Sequence, residues 1–127
     1  MEKKISGKVI SCAFDVSNTL GAGFLEKVYE NALAISMEDA GLRVERQKAF
    51  DVLFKGRIVG AYVADLVVNG SLLVEVKALS ALASDHEAQL MNYLKASGLG
   101  VGLLINFGTP RIGIKRIVWH HDDKQSI

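Results

Sequence analysis

Apolar residues at Ile5, Val9, Cys12, Ala13 and Val16 keep the i, i+4, i+7, i+8 rhythm of one helical face. That helix should end near Leu20, because Gly21-Ala22-Gly23 follows and glycine readily takes the left-handed angles that close a helix. A second helix is expected from Phe24 or Leu25. Its apolar set is Leu25, Val28, Tyr29, Ala32, Leu33 and Ile35 with Ser36, and Gly41 stops it. The pattern then changes period. Val44 to Phe54 carries charge at alternate positions and reads as a strand, Lys55-Gly56 as a turn, and Arg57 to Val68 as a second strand. Asn69-Gly70 is a hairpin signal, with a third strand from Ser71 to Val76. Helical spacing returns from Ala81 to Ser97 and closes at Gly98 and Gly100. Val101 to Phe107 suits a buried strand, and Ile114 to Trp119 a last one.

The order α-α-β-β-β-α-β-β describes an α/β fold. Three antiparallel strands precede a helix that can carry the chain to a parallel partner, giving a mixed central sheet flanked by helices. The 127 residues suit one domain, assigned to 1–119, with a polar tail over 120–127. No repeat or linker divides the chain.

Composition narrows the class only modestly. Half the residues are hydrophobic and 23% are charged, which excludes global disorder. The net charge of +1 lacks the excess of a dedicated nucleic-acid-binding domain, so any such contact must come from local clustering. Cys12 has no disulfide partner and, on an apolar face, reads as a buried thiol. Gly7, Lys8, Ser11 and Asp15 interrupt the N-terminal run, which argues against a signal peptide. No apolar stretch approaches the roughly 20 residues needed to span a bilayer. A cytoplasmic protein with no membrane contact is expected.

Chemistry concentrates in two strands whose interiors should be apolar. Tyr62-Val63-Ala64-Asp65-Leu66-Val67-Val68 is broken at Asp65, and Leu72-Leu73-Val74-Glu75-Val76-Lys77 at Glu75 and Lys77. A buried carboxylate is costly unless paired or bound to a metal. Two carboxylates suit a hard divalent ion, and a neighbouring lysine can hold a phosphate oxygen or assist proton transfer. The structural alternative is an ion pair of Lys77 with Asp65 or Glu75. Register decides between them. A strict two-residue hairpin at Asn69-Gly70 pairs Val68 with Ser71 and Asp65 with Val74, leaving Asp65 on the face away from Glu75. A shared site requires a longer loop or a β-bulge near Asp65, and that irregularity is expected.

The Asp65…Glu75-Val76-Lys77 spacing resembles the D-(x)n-E-x-K core of the PD-(D/E)XK nuclease superfamily. Gly23-Phe24-Leu25-Glu26-Lys27-Val28-Tyr29 resembles the pattern that names its GxxExxY family. The segment His86-Glu87-Ala88-Gln89-Leu90-Met91-Asn92-Tyr93-Leu94 carries the Q-x-x-x-Y of RecB-type nuclease domains. Gly102-Leu103-Leu104-Ile105-Asn106-Phe107-Gly108 is also similar to the GxxExxY family, and the matches run from about Val9 to Arg116. Ser17 and Ala22 stand where that family commonly has histidine and proline, and Ala64 occupies the proline position of the superfamily's name.

The resemblance implies a restriction-endonuclease-like core that hydrolyses phosphodiester bonds of DNA (or RNA). Asp65, Glu75 and the Val76 carbonyl would ligate Mg2+, with Mn2+ as substitute, and Lys77 would position the attacking water. Glu26, at the start of the second helix, would approach the same site, as a ligand of a second ion or through a water. The structural alternative for Glu26 is that an acidic residue in a helix's first turn complements the helix dipole. The resemblance also implies that Gln89 and Tyr93, with His86 one turn earlier, support the site or touch the substrate backbone. Packing of Tyr93 into the core and capping by His86 are the structural alternatives. Arg111, Lys115, Arg116, Trp119 and His120 form a small basic and aromatic cluster, equally explained as a charged strand edge. His120-His121 with Asp122-Asp123 is a weak metal candidate, because adjacent residues rarely converge on one ion. Gly98-Leu99-Gly100-Val101-Gly102 leads from helix to strand and so is no dinucleotide fingerprint. A homodimer is compatible with either function, since a nuclease of this size often needs a second subunit to grip a duplex. The competing functions are a non-catalytic nucleic-acid-binding or protein-interaction module retaining the fold, and a structural domain with a buried ion-pair network.

Overall fold

A computed structural model describes residues 2–119. Helix α1 (Glu2–Leu20) buries Val9, Cys12, Ala13 and Val16, the face its spacing marks. It stops where Gly21 takes φ +70° and donates its N–H to Ser17 O at 2.8 Å. Helix α2 (Glu26–Asp39) buries Tyr29, Glu30, Leu33, Ala34 and Met37. Three members of the expected apolar stripe, Leu25, Val28 and Ile35, are instead exposed. The phase is set by Tyr29, whose ring stacks on Phe107 at 4.8 Å. The buried carboxylate of Glu30 breaks the apolar pattern on that side and disguises the true face.

The five strands are β1 (Val44–Phe54), β2 (Arg57–Val68), β3 (Leu72–Lys77), β4 (Val101–Asn106) and β5 (Gly113–Val118). They lie side by side in chain order. All neighbours are antiparallel except β3 and β4. That parallel pair is connected through helix α3 (Ser84–Ser97), as a parallel connection requires. The element order and the mixed sheet flanked by helices are those the sequence pattern implies.

Helices α1 and α2 cover one sheet face with Leu66, Val68, Leu72, Val74, Val76, Leu103 and Ile105. Leu90 and Leu94 of α3 cover the other face with Tyr62, Ala64, Val67, Leu73 and Leu104. Helix α3 begins at Ser84 rather than Ala81, with Ala83 as its N-cap and the His86 ring accepting the Ala83 N–H at 3.0 Å. The expected 120–127 tail, with His120, His121, Asp122 and Asp123, lies outside the described residues. None of the described helices is long and apolar enough to cross a membrane.

Candidate active site

The β2–β3 turn is one residue longer than a tight hairpin. Asn69 and Gly70 take φ +51° and +66°, and Val68 pairs with Leu72 rather than Ser71. Leu66 consequently faces Val74, and Asp65 comes level with Glu75. There the ladder ends, and the two carboxylates occupy the opening. The Asp65 N–H donates to Glu75 Oε2 at 3.2 Å, and the Val76 N–H donates to Asp65 Oδ2 at 2.9 Å. Each acid thus takes a backbone donor from the opposite strand, in the fork where a ladder bond would otherwise form.

A second irregularity lies on the other side of β2. The β1–β2 pairing runs through Arg46–Leu66 and Lys48–Ala64 but omits Gln47 with Asp65, and Gln47 has φ +50°. Tyr62 and Ala64 pack on the α3 side, whereas Leu66 and Val68 pack on the α1–α2 side. Even-numbered positions therefore change faces across Asp65. Irregularities of this kind re-aim a side chain. The requirement drawn from the register is met by the longer loop, while the gap at Gln47 and Asp65 leaves the β1–β2 register unchanged.

The site is electrostatically crowded. Glu75 is 6% exposed, and its carboxyl is pushed up to about 7, first by burial and then by the charge of Asp65. Asp65 is also raised, chiefly by burial. The Val76 N–H opposes that, Glu30 adds to it, and Lys77 and Gln47 oppose it further. Tyr62 donates its hydroxyl to Glu75 Oε2 at 2.7 Å. Glu30, 4% exposed, takes the Gln47 amide at 2.8 Å on one oxygen and the Lys27 ammonium at 3.3 Å on the other. Close, desolvated like charges are the arrangement a bound cation relieves.

The helix carboxylate acting on Asp65 is thus Glu30. Glu26, the residue singled out from the sequence, is exposed in the first turn of α2. Sequence reasoning missed Glu30 because it trusted the apolar stripe. The signal was there: Glu30 shares a face with Ala34 and Met37, at spacings of four and seven. Tyr29, the last residue of the Gly23…Glu26…Tyr29 pattern, has a bracing role. Its hydroxyl donates to Gly21 O at 2.5 Å and accepts the Phe24 N–H at 3.1 Å, fixing the turn before α2.

The other candidates are more dispersed. Gln89 is exposed on α3, and His86 uses Nδ1 in the helix cap. Tyr93 is half-buried and stacks on Tyr62, with ring centroids 3.5 Å apart. Lys115 and Arg116 lie exposed on β5, a sheet edge, while Trp119 packs against the α3-side core. Cys12 is buried.

Asn106 earns a place that the sequence reading did not give it. Buried at the end of β4, it accepts the Leu79 N–H at 2.8 Å and donates to Leu79 O at 3.0 Å. Gly108 follows so closely that an added Cβ would lie 2.2 Å from Leu79 O. These contacts pin the chain just beyond Lys77.

The donors suit a hard divalent ion. Among the described residues, no three His, Cys, Asp or Glu side chains form a cage of their own. Magnesium does not need one, since it commonly binds through one or two carboxylates, water and phosphate. Asp65, Glu75 and the Val76 carbonyl would hold it.

Comparison with known proteins agrees with this architecture. No curated protein matches the chain. Among solved structures, it is similar to a protein titled SSO0001, with TM-score 0.60 and 19% identity over 73% of this chain and 50% of that one. It is also similar to an alkaline exonuclease from Laribacter hongkongensis, with TM-score 0.56 and 14% identity over 79% of this chain and 59% of that one. The chain therefore spans 50% of the one structure and 59% of the other. At such identities these neighbours establish the fold, a restriction-endonuclease-like core. A family model described as the PD-(D/E)XK nuclease superfamily matches residues 3–117. With nearly its whole length matched, an aspartate and a glutamate meeting at the fork between two strands, and Lys77 closing β3 beside them, the chain belongs to the PD-(D/E)XK nuclease superfamily.

Proposed function

We propose that the protein is a metal-dependent nuclease hydrolysing phosphodiester bonds of DNA (or RNA), and a member of the GxxExxY family within its superfamily. One observation carries the reading. At the open end of β2 and β3, Glu75 accepts the Asp65 N–H and Asp65 accepts the Val76 N–H, and the charge of Lys77 acts on both acids. A divalent ion bound there, Mg2+ or Mn2+, would supply positive charge to the scissile phosphate and make a water more acidic. Asp65, Glu75 and the Val76 carbonyl would hold the ion, and Lys77 would hold the attacking water or a phosphate oxygen. Glu30 adds negative charge beside Asp65. Similarity to an alkaline exonuclease supports a nucleic-acid substrate.

Incubation with plasmid, single-stranded DNA and RNA, with and without chelator, tests this. Cleavage should be chelator-sensitive and fall at least about 100-fold in Glu75→Ala and Lys77→Ala, the scale of losing an electrostatic or acid–base group. Cleavage unaffected by either substitution would overturn it. The net charge of +1 favours the second reading, a non-catalytic binding module. That reading predicts metal binding without cleavage of any of the three polymers.

We further propose a cytoplasmic location and a homodimer. The back of the β1–β2 ribbon supports the dimer, since Leu53, Ile58, Val59 and Val63 are exposed there.

A further inference from the structure

A strand-borne glutamate that serves a cation must be held without having all its lone pairs used. Glu75 meets that condition through one oxygen. The Tyr62 hydroxyl and the Asp65 N–H both donate to Oε2, at 2.7 and 3.2 Å, and Oε1 receives neither. Tyr62 is itself immobilised. Only 7% exposed, its ring packs against Phe50 at 6.0 Å and against Tyr93 at 3.5 Å, nearly parallel to both. The contacts form a chain from α3 to the site: Tyr93 ring, Tyr62 ring, Tyr62 hydroxyl, Glu75 Oε2.

We propose that Tyr62 is the positioning residue for Glu75, and that Tyr93 serves the site through the Tyr62 ring rather than by touching nucleic acid. The inference rests on the metal-dependent reading above and deepens it. The Tyr62 hydroxyl occupies Oε2 and leaves Oε1 as the oxygen of Glu75 for a divalent ion. Partners behind a metal ligand typically account for 10–100-fold in metal affinity or activity. Tyr93 contributes stacking area, which its hydroxyl does not supply. The two tyrosines therefore differ in what a phenylalanine can replace.

The test is calorimetric titration of Mn2+ alone into the wild type, Tyr62→Phe, Tyr93→Phe and Tyr93→Leu, with melting curves in chelator. Tyr62→Phe keeps the ring. It should melt within a few degrees of the wild type, bind Mn2+ roughly 10–100-fold more weakly, and need correspondingly more metal for half-maximal cleavage at unchanged KM. Tyr93→Phe should match the wild type, and Tyr93→Leu should weaken Mn2+ binding several-fold.

Wild-type affinity in Tyr62→Phe would overturn the assignment. So would loss of folding in that variant, because the hydroxyl would then be a stability element. A Tyr93→Phe variant with raised KM for nucleic acid and unchanged Mn2+ affinity would return Tyr93 to the substrate. If the wild type binds Mn2+ without cutting, only the nuclease reading fails. Absence of Mn2+ binding by the wild type overturns both.

Discussion

Glu75 titrates in an unusual range for a glutamate, and that ties folding to pH. Its carboxyl moves from an ordinary 4.5 to about 7 in the folded chain. Between these values the folded state holds a proton that the unfolded state has released. This contribution to stability is therefore present below pH 4.5 and is lost as pH rises toward 7 and beyond. Asp65 is shifted in the same direction and adds to the trend. In chelator, the melting temperature should drop from pH 5 to pH 8. Glu75→Gln should flatten much of that drop and be more stable than wild type at pH 8 by on the order of 1–3 kcal/mol. Identical pH profiles for the two proteins would remove this account. A divalent ion competes with the same proton, so stabilisation by Mg2+ should be clear at pH 8 and nearly absent at pH 5.

At the scale of elements, the site depends on how two strand ends are kept apart and pinned. The three-residue turn at 69–71 sets Asp65 level with Glu75, and Gln47 at φ +50° permits the change of face beside it. Asn106 and Gly108 then hold the chain beyond Lys77 against the end of β4. Gly108→Ala must push the Leu79 backbone away. It should lower stability by about 1–3 kcal/mol in denaturant unfolding, with metal binding weakened in parallel. Tyr29→Phe deletes the bonds to Gly21 and Phe24 while keeping the stack on Phe107. A loss of about 1–2 kcal/mol is expected, with Mn2+ affinity unchanged. A large loss of Mn2+ affinity in Tyr29→Phe would show that the turn before α2 shapes the site directly.

Over the whole molecule, the acidic site occupies one point of a chain whose net charge is +1. Grip on a polyanion must then come from few lysines and arginines or from a second copy. The β1–β2 ribbon outruns β3, which pairs only with Leu66, Val67 and Val68 of β2. Its exposed apolar side chains include Leu53, at 60%, and Ile58, at 66%. Two-stranded ribbons are marginal alone, and apolar surface of this kind favours burial. Ile58→Glu should convert the expected dimer to monomer in sedimentation velocity and reduce cleavage more than metal binding. A wild type that sediments as a monomer at all concentrations would exclude this assembly.

The sequence by itself determined the succession of elements and the mixed sheet, because periods of 3.6 and 2 differ plainly where glycines punctuate them. It also marked Asp65, Glu75 and Lys77, since charge inside an apolar strand stands out against its neighbours. The phase of α2 was not legible. Glu30 breaks the apolar stripe on the very face it buries, while Leu25, Val28 and Ile35 imitate a core on the exposed one. Tertiary structure alone decided that Asp65 and Glu75 meet, because one residue of turn length and one left-handed backbone angle choose the face, and neither leaves a periodic trace. It alone joined Tyr93 to Glu75 through Tyr62, from three different elements, since a stacked ring and a shared carboxylate oxygen exist only once those elements are packed.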